Sequence, residues 1–193
     1  MQSDSTKVSN EYRRAVAFNR ALVKAGGVAL FVALTAAASR LKVFLPFSPV
    51  PMTMQPLAVL LAGAILGPWL GALSQLAYLG LGLSGAPVFA GVPGAGLAVL
   101  VGPTGGYLMS YPLVAMIVGW SVGPSSKSVR IAGGLLLGLI VIYCSGVARL
   151  LMVTAQDPVA AFQVGVEPFL LADLIKVALA TLLVKGWKTV VRR

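Results

Sequence analysis

Asp173 and Lys176 stand three residues apart inside an apolar run near the C-terminus. On a helix that spacing puts both side chains on one face. A charge within a membrane span is costly and turns toward the protein interior or a wet cavity. The pair therefore reads either as an ion pair holding helices together, alone or with Arg149, or as the polar floor of a binding site. Gln55, Gln75 and Tyr78 offer neutral hydrogen bonds at similar depth, and Thr53 precedes Gln55 in a proline-rich approach. Interhelical bonding is the competing role for Gln75, simple packing for Tyr78 and Tyr143, and anchoring of an uncharged loop for Phe89. One carboxylate, one ammonium, amides, aromatics and apolar walls suit a small amphiphile with an anionic end and a neutral hydrogen-bonding end.

Other chemistries find little support. The chain has no histidine and only 5 carboxylates, and no nucleophile stands with a base or metal-ligand set. No catalytic residue and no metal site are expected. Without a Walker A sequence the chain is not expected to drive anything with ATP by itself.

The elements that must position these residues are membrane helices. Of 193 residues 58% are hydrophobic and 10% charged, against about 45–50% and about 25% in soluble domains. Mean hydropathy is +0.92. The expected fold is all-α, a polytopic bundle of six transmembrane helices. The spans are read at residues 22–41, 55–66, 69–83, 104–122, 131–153 and 169–187. The second and third are short for a crossing of about 30 Å. Residues 1–21 and 188–193 are read as basic cytoplasmic tails flanking the bundle at 22–187, the first as a surface helix or a disordered segment. Residues 84–103 are expected to lie over the bundle as an uncharged loop, and 154–168 to form a short acidic one.

The net charge of +10 reads as topology rather than as a nucleic-acid surface, because the basic residues sit in tails and loops. By the positive-inside rule, both termini and the Lys127/Arg130 loop are cytoplasmic. Arg40 and Lys42 are exceptions, standing at the outer end of the first span. Within that span Ala25, Ala29, Ala33 and Ala37 recur at every fourth residue. Such a stripe lets helices approach closely, either inside the bundle or against an external partner.

Ordered motifs carry a resemblance. Pro51-Met52-Thr53-Met54-Gln55-Pro56, Leu66-Gly67-Pro68, Gly85-Ala86-Pro87-Val88-Phe89-Ala90-Gly91 and Gly102-Pro103-Thr104-Gly105-Gly106-Tyr107 closely resemble the BioY family. The resemblance covers roughly residues 29–185. It implies the biotin-binding S component of an energy-coupling factor (ECF) vitamin transporter, in the plasma (inner) membrane. A transmembrane coupling protein, two cytosolic ATPases and lipid are the implied partners. Biotin is implied as transported substrate rather than cofactor. The family's Asp-x-x-Lys matches Asp173 and Lys176, and its alanine docking pattern matches Ala25, Ala29, Ala33 and Ala37. The implied ligand set is Asp173, Lys176, Gln55, Thr53, Tyr78, Gln75, Phe89 and Tyr143. Asp173 is assigned to the ureido N–H groups, and Lys176 to either the ureido carbonyl or the valerate. Some relatives carry an arginine after the Pro-Val-Phe-Ala-Gly motif, where this chain reads Val92-Pro93-Gly94-Ala95. A solitary facilitator, or capture of another small vitamin, are the alternatives.

Overall fold

The computed structural model describes residues 2–90, 96–155 and 157–191. The Val92–Ala95 tetrapeptide lies outside them. Helix α1 runs Gln2–Ala38, and a two-stranded antiparallel ribbon follows, β1 (Lys42–Val43) with β2 (Met52–Thr53). Then come α2 (Gln55–Leu66), α3 (Pro68–Leu83), the short α4 (Gly96–Val101), α5 (Gly105–Val122) and α6 (Ser128–Thr154). The short α7 (Pro158–Gly165), a 3₁₀ turn at Glu167–Phe169 and α8 (Leu170–Val191) complete the chain.

Among the described residues six helices of 12 residues or more make the bundle, with differences at its margins. Helix α1 is continuous from Gln2 and crosses the expected tail boundary after residue 21 without a break. Residues 84–103 are not all loop, since α4 forms within them, and residues 154–168 contain α7. Local chemistry accounts for α7. Asp157 Oδ1 accepts from the N–H groups of Val159 and Ala160 at 2.9 and 3.0 Å, and Pro158 occupies the first turn. A side-chain cap and an N-terminal proline both favour helix initiation.

The apolar part of α1 (Val16–Ala38), α5 and α6 are each long and apolar enough to cross a membrane. Helix α8 has 22 residues but carries Asp173, Lys176, Lys185 and Lys188. Helices α2 and α3 have 12 and 16 residues and are joined through Gly67 alone, at φ 82°. That positive φ suits glycine, and Pro68 then starts α3, where a missing N–H costs nothing.

Helix α5 is the axis of the core, packed against α6, α3 and α2. Its Val114, Ala115, Val118 and Val122 are fully buried with Leu60, Ile131, Leu135 and Val184 around them. Glycines set the close approaches. A Cβ at Gly63 would overlap the Ala115 backbone, one at Gly106 the Ser145 carbonyl, and one at Gly119 the backbone of Pro68. Small residues at such crossings let backbones meet where lipid offers little hydrophobic drive to associate. At the Gly67 end Trp69 and Trp120 meet edge to face, centroids 5.8 Å apart. Trp187 lines a shallow cleft with Gly67 and Lys188 at the same end.

Candidate functional site

At the end of the bundle away from the tryptophans lies a cavity of about 240 Å³. Its walls come from residues 49–53, the start of α2, α4, the Gly102–Thr104 turn, α5, α6 and α8. The floor is ionic. Lys176 Nζ stands 2.6 Å from Asp173 Oδ1, and both residues are buried, 6% and 4% exposed. The Tyr143 hydroxyl donates to Asp173 Oδ2 at 2.6 Å. Desolvating two charges is expensive, and a buried pair holds only where geometry and further hydrogen bonds are good. Here a tyrosine on α6 supplies one such bond. The third partner is the chain's own lid, since Lys176 Nζ also donates to the Thr53 carbonyl at 2.7 Å.

The lid is the proline-rich segment with its β1–β2 ribbon, tied down on several sides. Ser48 Oγ donates to the Val164 carbonyl of α7 at 2.7 Å. Arg40 Nη2 donates to the Pro87 carbonyl and Lys42 Nζ to the Ala90 carbonyl at 3.0 Å. The two cations that break the charge pattern of the sequence therefore clamp the lid to the α3–α4 connection. Arg149 is not a partner of Asp173; its Nη2 donates to the Val101 carbonyl at the end of α4.

Asp173, Lys176, Thr53, Gln55 and Tyr143 all line the cavity; Gln75, Tyr78 and Phe89 do not. Gln75 is fully buried and bonds Thr35 Oγ1 and Ser74 Oγ, at 3.3 and 3.1 Å. It ties α1 to α3. Tyr78 is fully buried one layer behind the wall, accepting from Gln55 Nε2 at 2.6 Å and donating to the Val88 carbonyl at 3.0 Å. Phe89 packs edge to face on Tyr78, centroids 5.5 Å apart, over Gly82. Tyr78 and Phe89 thus back the cavity wall, while Gln75 joins helices away from it.

Sequence reasoning missed Tyr107 and Tyr111, both on the cavity wall. Their spacing of four along α5 puts them on one face, and that was the available signal. The Tyr107 hydroxyl donates to the Gly165 carbonyl at 2.8 Å, joining α5 to α7. Tyr111 stacks on Tyr78 at 6.5 Å, and among the described residues its hydroxyl has no hydrogen-bond partner. No group of three or more potential metal ligands occurs among the described residues.

The sequence pattern of the BioY family matches residues 12–193. The chain belongs to the BioY family. A probable biotin transporter BioY of Pyrococcus horikoshii is 44% identical over 156 residues, covering 81% of this chain and 90% of that protein. The biotin transporter BioY of Thermotoga maritima is 38% identical, with coverage of 85% and 93%. Among solved structures, the S-component for biotin from an ECF-type ABC transporter superposes with a TM-score of 0.82 at 25% identity. That match covers 89% of this chain and 93% of the other. The BioY assignment accounts for a bundle with a polar-floored cavity at one end: the family is one of transport proteins, not enzymes.

Proposed function

We propose that this chain is the substrate-capture component of an ECF-type transporter, holding biotin in the lidded cavity for inward delivery by a separate ATP-driven module. The observation that carries this reading is the buried Asp173–Lys176 pair, which lines with Tyr143 a largely apolar cavity. A carboxylate has about four lone-pair sites. Lys176 and Tyr143 occupy two on Asp173, which leaves acceptors for two ureido N–H groups. Lys176 has three N–H donors, two of them committed, so one remains for the ureido carbonyl. The apolar thiophane ring and chain fit against Ile142, Phe169 and the α4 residues Ala98 and Val99. Thr53 and Gln55 close the lid side, Tyr78 and Phe89 act through Gln55 and the wall they back, and Gln75 serves the packing of α1 on α3.

The basic residues support a bundle with both termini cytoplasmic and the cavity on the outer side. Lys127, Lys185 and Lys188 stand toward the tryptophan end, and interfacial tryptophans fit that placement. On the outer surface of α1, Ala25, Ala29, Ala33 and Ala37 are all exposed, and the row continues through Ala21 and Ala17. That favours an external helix of the coupling protein as the stripe's partner over packing inside the bundle. Lipid covers the remaining exposed apolar faces, and no nucleic acid is involved.

A binding panel of vitamins on the purified protein, read by calorimetry, tests the reading. Biotin alone should bind tightly; binding of another vitamin in its place overturns it. Biotin uptake into vesicles lacking any ATPase would favour a solitary facilitator instead.

A further inference from the structure

The floor of the cavity accounts for the ureido ring but leaves the ligand's carboxylate without a cation. Asp173 and Lys176 neutralise each other, and theirs is the one ion pair among the described residues. Residues 91–95 contribute no charge, reading Gly-Val-Pro-Gly-Ala. We propose that Lys42 is the carboxylate-binding residue, set at the cavity mouth by the register of the β1–β2 ribbon.

Three observations converge on this side chain. Lys42 is the register partner of Thr53, and directly opposed antiparallel residues lie about 4.5–5.5 Å apart at Cα with side chains on one face. Thr53 lines the cavity. Lys42 Nζ donates to the Ala90 carbonyl at 3.0 Å and sits 5.1 Å from the centre of the Phe44 ring. Ala90 and Phe44 also line the cavity. Both neighbours of the ammonium, Ala90 and Phe44, are therefore part of the cavity wall, with Lys42 itself just outside the lining. One N–H goes to Ala90, leaving two donors for an anion.

Arg149 is the rival cation. Its Nε is buried without a hydrogen-bond partner. Its recorded neighbours, the Val101 carbonyl and Gly106, are both outside the cavity lining. Arg40 donates to Pro87, which is likewise outside the lining. None of the three cations is itself a lining residue, but Lys42 alone is held by lining residues, whereas Arg40 and Arg149 donate to carbonyls outside the lining. With the ureido ring on Asp173 and Lys176, the valerate runs toward the lid and ends on Lys42, so that ligand binding itself fastens the lid.

This inference rests on the biotin reading, and a pair of ligands tests it. Biotin and its neutral methylamide are titrated into wild type, Lys42→Gln, Lys42→Arg and Arg149→Gln by calorimetry. Lys42→Gln should weaken biotin by about tenfold to a hundredfold, the span of one charge-assisted hydrogen bond, and leave the amide nearly unchanged. Lys42→Arg should retain most of the biotin affinity. Equal losses for both ligands, no loss for biotin, or a carboxylate-selective loss in Arg149→Gln would each overturn the assignment of Lys42. If wild type binds no biotin, the biotin reading falls first and the Lys42 assignment with it.

Discussion

Thr53 and Lys176 are 123 positions apart in the chain, yet the lysine ammonium donates to the threonine carbonyl at 2.7 Å. The same ammonium holds Asp173 at 2.6 Å. One side chain on α8 therefore joins the lid to the ionic floor. Ser48, Arg40 and Lys42 fasten the lid elsewhere, so Lys176 is the one of these ties that also belongs to the ion pair.

Asp173→Asn keeps the shape but replaces an acceptor-only group by an amide. The loss of charge-assisted bonds to the ureido N–H groups should lower biotin affinity by at least about tenfold. Calorimetry in detergent measures this, and unchanged affinity would remove Asp173 from the site.

Tyr143→Phe deletes the hydroxyl that donates to Asp173 Oδ2. The carboxylate loses one of its two protein partners without losing charge, so a smaller loss of affinity is expected, about 1–2 kcal/mol. Comparing the two variants under identical conditions checks the order. A larger loss for Tyr143→Phe than for Asp173→Asn would contradict it.

Tyr111→Phe separates binding from stability. Its hydroxyl faces the cavity without a partner among the described residues, so the unliganded melting temperature should stay within about 1 °C of wild type, as for a change costing only tenths of a kcal/mol. If the hydroxyl reaches the ligand, biotin affinity falls by about 1 kcal/mol. A drop in unliganded stability of the protein would show that the hydroxyl serves the fold instead.

Gly106→Ala probes the scaffold. The added methyl would overlap the Ser145 carbonyl, which is backbone of α6 and has nowhere to go. Overpacking of this kind costs about 1–3 kcal/mol and should spread α5 from α6. Because Tyr111 and Tyr143 face the cavity from those two helices, thermal stability and biotin binding should fall together.

The double change Ala29→Leu, Ala33→Leu addresses the outer face of α1. Both side chains are exposed and outside the cavity lining, so biotin binding should be unaffected while co-purification with the coupling module is impaired. Normal complex formation would argue that the small-residue row has no docking role.

Much of this protein was legible from residue order alone. Hydropathy marks α1, α5 and α6 most plainly, because a span must be apolar over about 20 residues, while α2, α3 and α8 are shorter or carry charges. Asp173 and Lys176 stand out since i and i+3 share a helix face at any depth, and the ordered Pro, Gly and Thr motifs carry the family. What the sequence could not supply is which face each helix turns to which neighbour. Gln55 and Gln75 look alike as polar residues in apolar runs, but Gln55 lines the cavity while Gln75 is spent on Thr35 and Ser74. Tyr78 sits behind the wall and Tyr111 in it, though both are tyrosines at similar depth in adjoining helices. Arg40 and Lys42 looked like exceptions to a charge rule until the lid brought them onto the carbonyls of Pro87 and Ala90. These assignments follow from helix rotation and ribbon register, which are set by close packing at Gly63, Gly106 and Gly119 and by pairing across the chain. Local pattern determines that a charged or polar side chain must find company inside the bundle; only the tertiary structure decides which partner it finds.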